Sequence, residues 1–234
     1  KDKHILRQTE AALITVTLMT ENVFIFVPNL IGYARIFLLL YACWYMTTSF
    51  SRTVFCYLLS SLLDAFDGYA ARLLNQSTKF GAMLDMLSDR GATMCLLFCL
   101  STFYPRYIFL FQLSALLDIT SHWLHMLTSI QSGSSSHKAI SLDGNRFLRM
   151  YYTSRPLLFV MCAGNELFYS MLYVLHFTNG PLVFGYSLFK VILFLSLPIA
   201  LLKTAISMVH LYAASVNLAV IDVAERKKAS AAAS

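Results

Sequence analysis

The chain has 234 residues, 58% hydrophobic and 13% charged, with a mean hydropathy of +0.63. Soluble domains run about 45–50% apolar and about 25% charged, so this balance excludes an ordinary soluble globule, a disordered chain and a typical nucleic-acid binder. The chain reads as a membrane protein, and its net charge of +6 is read first as topology, because surplus Lys and Arg gather in cytoplasmic loops. The five cysteines, Cys43, Cys56, Cys95, Cys99 and Cys162, are odd in number, sit in apolar runs and form no CxxC pair, so no disulfide framework or zinc site is expected.

In chain order, residues 1–21 pair Lys1, Lys3 and Arg7 with a short apolar stretch, Ala11–Thr20. Its length suits a signal-peptide core, but no convincing small-x-small cleavage site follows, and a surface-lying helix is expected. A membrane-crossing helix needs about 20 mostly apolar residues. Six such spans are predicted: Leu30–Met46, after an entry turn at Val27-Pro28-Asn29; Thr53–Leu74; Phe80–Phe103; Tyr107–Ile130; Arg155–Phe177; and Tyr186–Val223. The last is too long for one straight crossing, so a kink at Pro198 and an end emerging into water are expected. Thr178-Asn179-Gly180-Pro181 reads as a tight turn, and Gln131–Asn145 as a flexible loop. The fold class is all-α, polytopic, with one membrane domain over 22–228; the small-residue tail 229–234 is set aside.

Six spans bring both termini to the side that carries the second-to-third and fourth-to-fifth connections. That side collects Lys1, Lys3, Arg7, Lys79, Lys138, Arg146, Arg149, Arg226, Lys227 and Lys228, against Arg52 and Arg106 opposite, and is therefore read as cytoplasmic.

The second and third spans hold Asp64, Asp67, Asp85 and Asp89. Four unpaired carboxylates in a bilayer would cost roughly 10–14 kcal/mol on insertion scales, so something cationic must offset them. Asp64, Asp67, Gly68 and Ala71 share one helix face by their i, i+3, i+4, i+7 spacing, and Gly81, Asp85 and Asp89 share another. Twelve residues separate Arg72 from Asp85, which makes the two helices antiparallel neighbours with their acids at similar depth, Asp67 and Asp85 about 8–12 Å below the cytosolic surface. Hard oxygen ligands at this density suit Mg²⁺ or Mn²⁺, as two bridged ions acting on a phosphate. Gly68 and Gly81 leave room for a nucleotide or pyrophosphate, and Arg72 offers planar phosphate donors. On spacing alone, a proton relay, a divalent-cation transport path and salt-bridged packing stay open beside metal-dependent phosphate chemistry.

The pattern Asp64-x2-Asp67-Gly68-x2-Ala71-Arg72-x8-Gly81-x3-Asp85-x3-Asp89 resembles the signature of the CDP-alcohol phosphatidyltransferases at every fixed position. Further stretches are similar to the eukaryotic members of that family that use inositol: Val27-Pro-Asn-Leu-Ile-Gly-Tyr-Ala-Arg35, Phe80-Gly-Ala-Met-Leu-Asp-Met-Leu, Ser121-His-Trp-Leu-His125, Tyr151-Tyr-Thr-Ser-Arg-Pro156 and Ala163-Gly-Asn-Glu-Leu-Phe-Tyr169. The resemblance runs from about Glu21 to Lys228. It implies a six-helix membrane enzyme, usually a homodimer, that transfers the phosphatidyl group of CDP-diacylglycerol to myo-inositol and releases CMP in the endoplasmic reticulum membrane, with its active site facing the cytosol. It further implies that Asp64 and Asp85 each bridge two divalent cations, that Asp67 binds one, and that Asp89 binds the other or acts as the base. Gly68, Arg72 and Thr78 would contact the CDP headgroup, with Ala71 allowing close approach. A sibling enzyme using glycerol phosphate or serine, and a divalent-cation transporter, are the alternatives; the Gly-Ala-Arg set beside the acids has no evident use in a transporter.

Several residues outside the signature are candidates for lesser roles. Lys138, Arg146, Arg149 and Arg155 approach the fifth span from the cytosolic side, and either line a pocket for phosphate or polyol, Arg149 and Arg155 foremost, or anchor the chain by charge alone. Tyr152 and Ser154 suit hydrogen bonding to a neutral polyol. Asp118, His122 and His125 lie at i, i+4, i+7 and read best as a satisfied hydrogen-bond ladder, with the surroundings of a metal site or an acceptor-site network as alternatives; intramembrane Glu166, beside Asn165, is either a functional group or the holder of a structural partner such as His or Arg. Lys203 and His210 serve packing or face polar cavities. No Walker or dinucleotide loop is present, so no cofactor beyond divalent metal and no nucleic-acid partner is implied.

Overall fold

The computed structural model describes residues 22–132 and 154–233. The expected surface helix over 1–21, and Lys138, Arg146, Arg149 and Tyr152, lie outside the described residues. Six long helices account for most of the rest: α1 (Val27–Tyr45), α2 (Phe50–Leu73), α3 (Lys79–Phe103), α4 (Ile108–Ser132), α5 (Arg155–Phe177) and α6 (Leu188–Ala233). Each falls within a few residues of a predicted span, except that α6 passes through Pro198 and runs on to Ala233, about 69 Å at 1.5 Å per residue. Among the described residues, three helices are long and apolar enough to cross a membrane by length and composition: α1, α5 from Pro156, and α6 over Leu188–Ala231. The chain is an integral membrane protein. The charged residues of α2 and α3 dilute their hydropathy, and those charges belong to the site described below.

Two compact units divide the chain, residues 1–92 and 93–234. In the first, α1 packs along α2. The buried face of α1 is small or polar (Pro28, Asn29, Gly32, Arg35, Ala42), while Phe37, Leu40 and Trp44, and Phe55, Leu58 and Leu62 of α2, face outward. Water would demand the reverse. In lipid, bulk apolar groups gain nothing by hiding, and small residues let backbones approach.

The turns of this unit are fixed by local chemistry. Asn22 accepts from the Phe24 N–H and caps a short 3₁₀ turn, Val23–Ile25. Pro28 stands in the first turn of α1, where no backbone donor is needed. The free Val27 N–H donates to Gln76 Oε1 at 3.0 Å, tying the start of α1 to the α2–α3 connection. Asn75 takes a left-handed φ of 55°, and the Gln76 N–H reaches back to the Ala71 carbonyl at 2.9 Å, the bond pattern of a Schellman stop. Thr78 then opens α3, its Oγ1 accepting from the Gly81 N–H at 2.9 Å as an N-cap. A helix stop and a helix start five residues apart force the antiparallel return expected from the spacing.

In the second unit α4 and α5 each pack on α6, burying Leu97, Leu100, Phe111, Ala115, Met161, Tyr173 and Ala200 among others. Between α5 and α6 the structure adds a small hairpin that the sequence reading did not anticipate. Leu182–Val183 pairs antiparallel with Tyr186–Ser187, around Phe184 and Gly185 with φ of 50° and 83°, the positive-φ pair of a type I′ turn. Gly180, also at positive φ, is packed so tightly that a Cβ there would run into the Phe189 ring.

Candidate active site

The four aspartates converge. Asp64 and Asp67 come from α2, Asp85 and Asp89 from α3, and all four meet the guanidinium of Arg35 on α1. Its Nη1 donates to Asp67 Oδ2 at 2.6 Å and Asp85 Oδ1 at 2.7 Å, its Nη2 donates to Asp89 Oδ1 at 2.5 Å, and the same Nη2 forms an ion pair with Asp64 Oδ1 at 2.7 Å. Each nitrogen thus joins one acid of α2 to one of α3, and a step of three residues along α2 matches a step of four back along α3. That is the register expected of antiparallel helices. Arg35 and Asp67 are buried, with side chains 3% and 12% exposed, whereas Asp64, Asp85 and Asp89 keep 45%, 47% and 36%. The cage therefore has a closed floor on α1 and an open face where a ligand can enter.

Arg35 is the functional residue that sequence reasoning missed. A cation was required to offset the acids, and Arg35 is the only basic residue within the predicted span Leu30–Met46, which is the signal that pointed to it. Arg90 stands 3.7 Å from Asp89 Oδ2 and adds a weaker contact.

The residues present fit a divalent cation. Oxygen ligands of Asp64, Asp67 and Asp85 lie within 4.8 Å of one another, all are hard anionic donors of the kind Mg²⁺ and Mn²⁺ prefer, and one guanidinium among four carboxylates leaves a surplus of negative charge when all are ionised.

The expected nucleotide contacts gather at the ends of the same two helices. Arg72 is exposed in the last turn of α2, and its Nη1 lies 3.4 Å from where a Cβ on Gly68 would stand, so Gly68 gives the guanidinium room to fold back toward the acids. Ala71 supplies the carbonyl that ends α2, and Thr78 caps α3. Gly81 has a packing reason of its own, because an added Cβ would meet Asn29 Oδ1 at 2.8 Å. Arg155 is the first residue of α5, and Ser154 caps that helix, its Oγ accepting from the Leu157 N–H at 3.4 Å.

The second unit holds its own polar groups. His122 Nδ1 lies 2.7 Å from the Asp118 carbonyl and 3.5 Å from its carboxylate, and the His125 and His210 rings stack with centroids 6.2 Å apart. Glu166 accepts a hydrogen bond from Thr93 Oγ1 at 2.5 Å. Lys203 lines a cavity of about 20 Å³ with Asp118, Asn165 and Tyr169, a volume that suits a single water.

Comparison with known proteins agrees with this geometry. The profile of the CDP-alcohol phosphatidyltransferase family matches residues 25–216. The chain is 58% identical over 209 residues to the CDP-diacylglycerol--inositol 3-phosphatidyltransferase of Rattus norvegicus, covering 89% of this chain and 98% of that one. It is 56% identical over 208 residues to the protein of that name from Homo sapiens, with the same coverages. To that of Schizosaccharomyces pombe it is 43% identical over 224 residues, covering 89% and 94%. No solved structure matches it. A family match spanning most of the chain, together with relatives 56–58% identical over 89% of it, means that the chain belongs to the CDP-alcohol phosphatidyltransferase family.

Proposed function

We propose that this protein transfers the phosphatidyl group of CDP-diacylglycerol to myo-inositol and releases CMP, the activity named for its rat and human relatives. The observation that carries the reading is the convergence of Asp64, Asp67, Asp85 and Asp89 from two neighbouring helices into one open-faced cage.

Asp64, Asp67, Asp85 and Asp89 would hold two divalent cations, Mg²⁺ or Mn²⁺, which would supply charge neutralisation for the diphosphate and the departing CMP. Arg72 binds the same phosphates through its planar fork, and Gly68, Ala71, Thr78 and Gly81 frame the cytidine end at the α2–α3 turn. Asp89 takes the proton of the attacking inositol hydroxyl. A carboxylate in this role contributes typically 10²–10⁴-fold. In-line attack then depends on positioning and charge stabilisation more than on a covalent intermediate. Arg149 and Arg155 orient the polyol.

All six long helices cross the membrane. The acids of α2 and α3 are tolerated there because they pair with Arg35. Residues 22–228 form the catalytic membrane domain, 1–21 lie on its surface, and the enzyme works as a homodimer in the endoplasmic reticulum with the cage open to the cytosol. The basic residues flanking the α2–α3 and α4–α5 connections support this orientation.

The test is an acceptor panel with labelled CDP-diacylglycerol and the purified full chain. Label in phosphatidylinositol, with stoichiometric CMP, is expected; incorporation of serine or glycerol phosphate with none of inositol would overturn the reading.

A further inference from the structure

Among the described residues, the Arg35 guanidinium pairs with the four acids. Its Nε is buried without a hydrogen-bond partner, so nothing at that atom anchors the head apart from the carboxylates. Each terminal nitrogen stands between an oxygen of α2 and an oxygen of α3 at 2.5–2.7 Å. A divalent cation taken up by those same oxygens needs contacts of about 2.0–2.2 Å from the space between them, which is the space the nitrogens fill. Two cations in one such space repel, and the repulsion is weakly screened at a buried site.

We propose that Arg35 is the resident counter-cation of this cage, and that divalent cations enter by exchange with its guanidinium rather than by addition beside it. The inference rests on the metal-binding reading above. In the cation-free protein, Arg35 keeps four like charges on two helices from driving each other apart. On loading, it surrenders the carboxylate oxygens, and the freedom of its Nε lets the head withdraw without breaking a bond elsewhere. Arg35 is thus a positioning residue acting through the acids, and it sets the cation affinity of the site by competing for it.

Exchange makes two observables move in opposite directions when Arg35 is neutralised, whereas a purely structural arginine would move them together. The experiment uses the full chain in detergent micelles without nucleotide or inositol. Mn²⁺ binding is followed by the paramagnetic resonance signal of the free ion, and thermal unfolding is measured with and without Mn²⁺. Arg35→Gln is expected to bind Mn²⁺ at least tenfold more tightly than wild type, to unfold at a lower temperature without metal, and to recover most of that loss at saturating Mn²⁺. Affinity that is unchanged or weaker would overturn the exchange while leaving metal binding intact, because Arg35 would then be a template for the cation or a bystander. Absence of Mn²⁺ binding in both proteins at millimolar concentration would overturn the metal reading and the exchange with it. Should Arg35→Gln fail to fold, Arg35→Lys decides. One ammonium cannot bridge both pairs of acids, so its Mn²⁺ affinity should exceed that of wild type severalfold, and equal or weaker binding would refute the proposal.

Discussion

Gly81→Ala separates two reasons for a glycine in the signature. The added methyl would stand 2.8 Å from Asn29 Oδ1 and 3.2 Å from Thr78 Oγ1. Asn29 cannot easily yield, since it is 1% exposed and its Nδ2 donates to the Val23 carbonyl at 2.6 Å. Either α1 shifts by about 0.5 Å, or Asn29 turns and gives up that bond; overpacking costs about 1–3 kcal/mol, as does leaving a buried polar group unpaired. Alanine recovers up to about 1 kcal/mol of helix propensity. The net loss of about 1–2 kcal/mol corresponds to a fall of about 2–8 °C in the unfolding midpoint, readable by intrinsic fluorescence in detergent. In an Asn29→Ala background the nearer of the two obstructions is gone, and Gly81→Ala should cost less by at least about 0.5 kcal/mol. An unchanged midpoint for Gly81→Ala alone, or an equal loss in both backgrounds, would refute the packing account and leave substrate approach as the reason for the glycine.

Asp89→Asn keeps the size of the side chain and removes its basicity, so kcat should fall by about 10²–10⁴-fold while CMP binding stays measurable by calorimetry; wild-type turnover would take Asp89 out of the proton-transfer role. Chelation of divalent cations should abolish phosphatidylinositol synthesis, with recovery on adding Mg²⁺ or Mn²⁺, and activity surviving exhaustive chelation would contradict the use proposed for the acids. Thr78→Ala removes the cap of α3 and should cost about 0.5–2 kcal/mol, read as a lower unfolding midpoint that Thr78→Ser largely restores. Thr93→Val takes a hydroxyl from Glu166 and should cost about 1–3 kcal/mol without changing the KM for inositol; a raised KM with an unchanged midpoint would make that pair part of the acceptor site.

The helices and the acidic face were legible because both depend on short-range order. An i, i+3, i+4, i+7 pattern places Asp64, Asp67 and Gly68 on one face whatever surrounds them, and a short connection leaves the second helix little choice but to return alongside the first. The same locality explains what escaped notice. The hairpin at Leu182–Ser187 has strands of two residues each, too short for an alternating pattern, and its turn carries Phe184 where Asn or Asp would announce it. Glu166 asked for a partner, and a count of charged residues could not nominate a threonine 73 positions away.

From sequence alone came the membrane as solvent, the six long helices, the antiparallel pair and the acids that face each other across it, since composition and periodicity carry these directly. Tertiary structure decided which cation neutralises them, why Gly81 must be small, and which side of the cage is open. Arg35 lies 32 residues from Asp67 and 54 from Asp89, and no periodic rule reaches that far. A buried charge chooses its partners by distance in space, and that distance exists only once α1 has packed its small, polar face against α2.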